Sequence, residues 1–270
     1  PKALEYAEAA LAASQGLPET LRRDRLRIEI LLRLGQRERA AKEAWSRGTR
    51  PETPPTERAE LAMLLARYEV SDTADRLFEA ALGVKDLPPA TRRGLLHRRA
   101  EVQSGLARWR SLLEAAALAS PSHPARAAES SQVLNELTAP ADAQAAAVLA
   151  RETKDVGLRA RLLLRQAELA MDQKVAADLI WQVRGMGRLP VDRYEWACRT
   201  WNGVGQPEHV ITILEERLRR GRRLSDSELV ELAVAYRQAN RPVDAKRAET
   251  TARMPKPNQL APQGMGGGMF

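Results

Sequence analysis

Three histidines, His97, His123 and His209, and one cysteine, Cys198, are the side chains best suited to metal binding or nucleophilic chemistry near neutral pH. A zinc site needs such groups at short, fixed spacing, for example two histidines one helical turn apart beside a glutamate. Here the histidines are far apart and none has a cysteine partner, so no metal centre is expected. Phosphate and cofactor chemistry leaves its own signatures. The P-loop, the G-x-S-x-G nucleophile turn and the dinucleotide fingerprint are all missing from the sequence, so no cofactor is expected. Active sites are recognised by convergent polar groups, and none is legible; the expected class is non-enzymatic.

The remaining chemistry is that of arginine. The chain has 43 Lys plus Arg against 35 Asp plus Glu, a net charge of +8, and only seven of the 43 are lysine. Codon usage in a GC-rich genome raises Ala and Arg together and is the plain reading. The sharper reading is bidentate contact with carboxylates, which Arg makes and Lys does not. Arg217, Arg219, Arg220, Arg222 and Arg223 crowd one short stretch. At a helix end they meet the negative pole of the dipole and the last carbonyls; on one face they could meet phosphates. No aromatic residue is interleaved for base stacking, so nucleic acid is disfavoured as a partner. Glu215 and Arg219, four apart, read as a solvated helix pair.

These side chains need elements to position them, and the sequence predicts helices throughout. Hydrophobic residues make up 44% and aromatic residues 4%, so the core has to be built from Ala and Leu, which means closely packed helices. Between Leu224 and Pro255, Ser225 or Asp226 can cap a helix with Leu229, Leu232, Ala233 and Tyr236 on one face. The segment Gln238 to Arg241 breaks it, and Pro242 opens a second helix with Val243, Ala245, Ala248 and Ala252 on a narrow face. Two helices with so short a connection run antiparallel. Leu229-x2-Leu232-Ala233-x2-Tyr236, with Ala245 nine residues after Tyr236, resembles the tetratricopeptide repeat, W-x2-L-G-x2-Y followed by A-x3-F and a proline. Leu229 stands for the Trp and Glu249 for the Phe. Tyr194-x2-Ala197-Cys198-x2-Trp201 and Ala74-x3-Phe78 repeat the spacing, which puts Cys198 in the core.

Small residues opening each second helix fall at Ala3, Ala40, Ala74, Ala107, Ala143, Ala176, Val210 and Ala245, near the period of about 34 residues of that family. Ankyrin repeats lack support because no T-P-L-H element occurs, and HEAT repeats need a period of about 40 or more. The expected fold is all-α, a right-handed α-solenoid of about seven helix pairs over residues 1–254, preceded by one unpaired helix at Pro1 to Ser14. That helix without a partner leads us to expect the C-terminal part of a longer protein. In the pair around residues 87–120, Arg92, Arg93, His97, Arg98 and Arg99 do not fit one solvent face, so its phase is open by one or two residues. Residues 255–270, rich in Pro, Gly and Met, predict a disordered tail.

The resemblance implies function through shape. In that family the first helices of successive repeats line a concave groove that holds a peptide or helix, so a protein-binding scaffold is expected. Placing the phase of the last repeat on its neighbours sends Gln132 and Asn135, then Arg161 and Arg165, then Arg199 and Asn202, then Arg237 to that groove. Arg and amide groups at successive levels imply a partner segment with Asp, Glu or a free carboxylate. The Lys and Asn carboxylate clamp of the chaperone-binding members is not found. The alternative is a basic module binding nucleic acid or an anionic surface. No apolar run approaches the ~20 residues of a membrane-spanning helix.

Overall fold

A computed structural model describes residues 5–6, 9–10, 12–13, 21–119 and 123–253. Among them are fourteen α-helices, one short 3-10 helix and no strand. In chain order the helices are α1 (Leu21–Arg33), α2 (Arg37–Gly48), α3 (Pro55–Arg67), α4 (Ser71–Leu82), α5 (Pro89–Val102), α6 (Gly105–Leu118) and α7 (Pro124–Glu136). They continue as α8 (Asp142–Glu152), α9 (Val156–Leu169), α10 (Gln173–Gly185), α11 (Tyr194–Gly203), α12 (Pro207–Arg219), α13 (Asp226–Gln238) and α14 (Pro242–Arg253). The 3-10 helix, Val191–Arg193, leads into α11. These boundaries reproduce the seven expected pairs. The expected unpaired first helix falls largely, and the expected tail wholly, outside the described residues.

Helix starts and stops follow local chemistry. Pro stands in the first turn of α3, α5 and α12, where its missing N–H is not needed. Ser225 and Glu228 close a reciprocal capping box at the start of α13, and Asp155 and Asp172 cap α9 and α10. One turn recurs between first and second helices. After α1, Gln36 N donates to Leu31 O (2.9 Å) and Gly35 N to Leu32 O (3.0 Å), the 6→1 and 5→2 bonds of a Schellman motif. The same two bonds close α3 around Glu69, α11 around Gly205 and α13 around Asn240, and they also close two second helices, α10 around Gly187 and α12 around Gly221. Each central residue has positive φ, which Gly and Asn take readily and which leaves Glu69 mildly strained. Gly35 and Glu69 are 34 residues apart, and Gly205 and Asn240 are 35 apart.

The chain divides between Glu136 and Leu137 into two compact units, α1 to α7 and α8 to α14. The fourth expected pair therefore contributes one helix to each. Within the first unit neighbours in sequence pack together, and α1 also touches α3, α2 touches α4 and α3 touches α5. Within the second, neighbours pack likewise and α11 touches α13. The first core joins Leu31, Leu65, Leu77, Phe78 and Leu96 to Ala40, Ala44, Ala59 and Ala62, whose small side chains let the helices approach closely. The second centres on Ile180, Cys198, Trp201, Leu214 and Tyr236.

Five of the expected small residues, Ala40, Ala74, Ala176, Val210 and Ala245, are buried. Ala3 lies outside the described residues. Ala107 is exposed and Ala143 only half-buried; Trp109 and Ala146 take the buried positions on their helices. Both of these pairs lack the recurrent turn, as does α9 with α10, where Ala170 is extended. The first helix of one, α5, ends in an extended residue, Gln103, instead of a Schellman turn, so the phase changes there.

Candidate functional site

In the second unit, α9, α11 and α13 carry five of the seven expected site residues, three of them in separate ion-pair groups that follow one another along the chain as a ladder of alternating charge. Arg165 on α9 donates from Nε to Leu137 O (2.6 Å) and from Nη1 to Glu168 (2.7 Å), and Glu168 also pairs with Arg193 at 2.8 Å. Arg199 on α11 pairs with Glu195 one turn earlier and lies 3.4 Å from Glu231 of α13. Arg237 on α13 pairs with Glu249 of α14. Arg161 is exposed, and among the described residues no ion pair reaches it. The ladder carries five arginines and four glutamates, so most of its charge is already balanced within the protein. Exposed pairs of this kind contribute about 0–1 kcal/mol each.

Asn202 departs from the groove expectation. It is buried, 7% exposed, and its Nδ2 donates both to Glu231 O (3.0 Å) and to the Glu231 carboxylate (2.8 Å), while its own main-chain oxygen accepts from Gln238 Nε2 at 3.2 Å. It ties α11 to α13 from the inside. Gln132 and Asn135 are exposed on α7 in the first unit, apart from the second-unit ladder in sequence and in unit. Gln132 donates to Glu136 (3.0 Å), which also accepts from Arg108 and from the Trp109 indole. The Arg108 bonds chiefly hold the Glu136 carboxyl below its ordinary range, against the opposing effect of burial.

At the end of the ladder lies a hollow of about 190 Å³ lined by Val230, Ala233, Val234, Arg237, Glu249 and Ala252. Its floor is apolar and its rim is the Arg237–Glu249 pair. Val230 is half-exposed there, a large apolar side chain that packing within the unit has not covered.

Many arginines elsewhere are structural. Arg58 donates to Ala80 O (2.9 Å) and Arg50 O (3.3 Å), Arg108 to Ala100 O (3.0 Å), and Arg159 to Ala150 O (3.1 Å) and Thr153 O (2.8 Å). Each sits near the start of one helix and takes carbonyls at or near a neighbouring helix end, which the helix itself leaves unbonded. The crowded cations of α5 divide in the same way. Arg93 and His97, one turn apart, both face Glu129 of α7, a carboxylate that is buried; His97 Nε2 lies 3.1 Å from it. Arg99 turns to Asp75 (3.8 Å) and Glu79 (3.5 Å) of α4. In the basic stretch after α12, Arg217 pairs with buried Glu228 and covers the Tyr194 ring, Arg220 pairs with Glu216, and Arg219, Arg222 and Arg223 are exposed.

Cys198 has no exposure, and burial pushes its thiol up to about 12, so it stays a protonated core residue. His209 stacks on Trp181 with ring centroids 3.7 Å apart, and burial lowers its pKa. Among the described residues, no group of three or more His, Cys, Asp or Glu is placed to hold a metal ion. Also among them, no helix is long and apolar enough to cross a membrane. Sequence reasoning missed the buried Glu129 because its partners lie more than thirty residues away. It also missed a basic cavity between α1 and α2; the crowding of Arg23, Arg27, Arg39, Lys42 and Arg47 was the available signal.

No family model matches the chain, and no curated protein does.

Proposed function

We propose that this chain is a non-enzymatic, protein-binding scaffold whose helix pairs are tetratricopeptide-like repeats stacked as a right-handed solenoid. The observation that carries the reading is the set of contacts between next-but-one helices, together with the Schellman turn that closes four of the seven first helices. Such contacts are what stacking of like helices from successive repeats produces. The partner is a short protein segment carrying an apolar side chain beside a carboxylate. The apolar floor of the hollow under Val230 and Val234 takes the first, and Arg161, Arg199 and Arg237 supply cations for the second. Arg199 and Arg237 are held in place by Glu195, Glu231 and Glu249, so a ligand carboxylate meets a pre-set guanidinium and loses less side-chain entropy on binding.

The test is affinity capture with the whole chain after nuclease treatment. The reading requires a recovered protein from which a synthetic acidic segment alone competes for binding. Recovery that disappears on nuclease treatment, or competition by an oligonucleotide and not by the segment, would replace it with nucleic-acid binding.

A further inference from the structure

A concentration of positive charge surrounds a cavity in the first unit, between α1 and α2. A space of about 460 Å³ is lined by Arg23, Arg27, Arg39, Lys42, Arg47 and Arg50, against which stand only Asp24 and Glu43. Among the described residues the lining thus holds six cations and two carboxylates, and Arg23 and Arg50 have further interactions of their own. Ser46 adds a hydroxyl, and Ile28 the apolar base. The volume lies within the range of small-ligand sites, roughly 300–1,000 Å³.

Both carboxylates are shared. Glu43 accepts a two-pronged contact from Arg27, Nε at 2.7 Å and Nη2 at 3.0 Å, and lies 3.5 Å from Arg39. Asp24 accepts from Arg23 at 2.9 Å and 3.2 Å and lies 3.5 Å from Arg47. Arg47 reaches two further carboxylates outside the lining, Glu57 at 3.9 Å and Glu52 at 4.0 Å, at distances too long for hydrogen bonds. The two acids thus hold Arg23 and Arg27 by hydrogen bonds and lie close to Arg39 and Arg47. The Glu43 bond is the main cause holding the Arg27 pKa above its ordinary value, so this member keeps its charge. Arg39 and Lys42 are exposed at the mouth, where a ligand would arrive.

We propose that this cavity binds the dianionic phosphoryl group of a phosphate monoester. Guanidiniums match phosphate oxygens in pairs, and a dianion suits a lining in which cations outnumber carboxylates. A single carboxylate brings half the charge and offers two oxygens in place of three. The proposal stands on the first unit alone and is independent of the ladder of the second.

The experiment is calorimetric titration of the full chain with inorganic phosphate, with a phosphoserine peptide, and with sulfate, at about pH 7.5 and about pH 5. Monoester affinity should fall at the lower pH, because the second phosphoryl proton binds at about pH 6 and removes one charge; sulfate affinity should hold level. Arg39→Glu combined with Lys42→Glu, both at exposed positions, should weaken monoester binding about tenfold or more, and Arg222→Glu with Arg223→Glu by less than about twofold. Peptide binding much tighter than free phosphate assigns the source to a modified side chain; equal binding assigns it to a free phosphate. Absence of heat at millimolar ligand, equal loss in both double variants, or tighter binding of a diester oligonucleotide than of the monoester would overturn the proposal.

Discussion

Replacing Asn202 by Ala separates a groove residue from an internal clamp. The side chain donates one hydrogen bond to a main-chain carbonyl and one to a carboxylate of the same residue, Glu231. The first contributes about 1 kcal/mol and the second about 2 kcal/mol. Against this, Asn202 Oδ1 is buried without a hydrogen-bond partner among the described residues, and deleting it relieves about 1 kcal/mol. Ala is also the better helix former by about 0.5 kcal/mol in the interior of α11. The net expected loss is about 1.5 kcal/mol, which lowers the thermal midpoint by about 3–6 °C for a chain of this size. Asn202→Asp should cost more, about 3 kcal/mol near neutral pH, because it sets a second carboxylate against Glu231 with both donors gone. Urea unfolding followed by far-ultraviolet circular dichroism reads both variants. A change below about 0.5 kcal/mol for Asn202→Ala would mean that the residue is not the clamp described, since ordinary surface substitutions stay in that range.

Cys198 should resist thiol reagents at pH 8 in the folded protein and react at the rate of unfolding, because burial keeps the thiol protonated; rapid native labelling contradicts its core position. Gly48→Ala sets a methyl against Leu77 Cδ2, inside the packed core of the first unit, and is expected to destabilise by about 1–3 kcal/mol in denaturant titrations. The depressed pKa of His209 makes its contribution full above the ordinary imidazole value, about 6.5, and lost as pH falls through the lower folded value. His209→Phe keeps the stack on Trp181 and should flatten the acid side of the stability profile; an unchanged profile refutes this assignment.

The helices were legible because their punctuation is local. Pro54 and Pro55, Gly35, Ser225 and Pro242 act on their own backbone, and a small residue every 34 or so positions marks where two helices touch. The phase of the third pair was not legible, and α5 shows why. Arg93 and His97 look like solvent-face residues at one-turn spacing, yet both are drawn inward by Glu129, which sits on a different helix. No pattern within α5 encodes that partner. Asn202 misled for a related reason: a polar residue at a groove position reads as solvent-facing until Glu231 arrives from α13 with an acceptor pair. Arg165, Arg199 and Arg237 were read as groove residues, and the carboxylates that hold them come from their own and neighbouring elements. The break between Glu136 and Leu137 has no signal in the sequence, since the loop there resembles those between packed pairs.

The most direct test of the scaffold account is calorimetry with the acidic segment of a recovered partner, at fixed salt, on three forms of the whole chain. The account predicts that Arg161→Glu with Arg199→Glu weakens binding by more than about 2 kcal/mol, as loss of desolvated Arg–carboxylate contacts does, and that Arg219→Glu with Arg222→Glu changes it by less than about 0.5 kcal/mol. Equal losses from the two pairs would show general charge attraction, and an unchanged affinity in the first pair would place the partner on another surface; either contradicts the account.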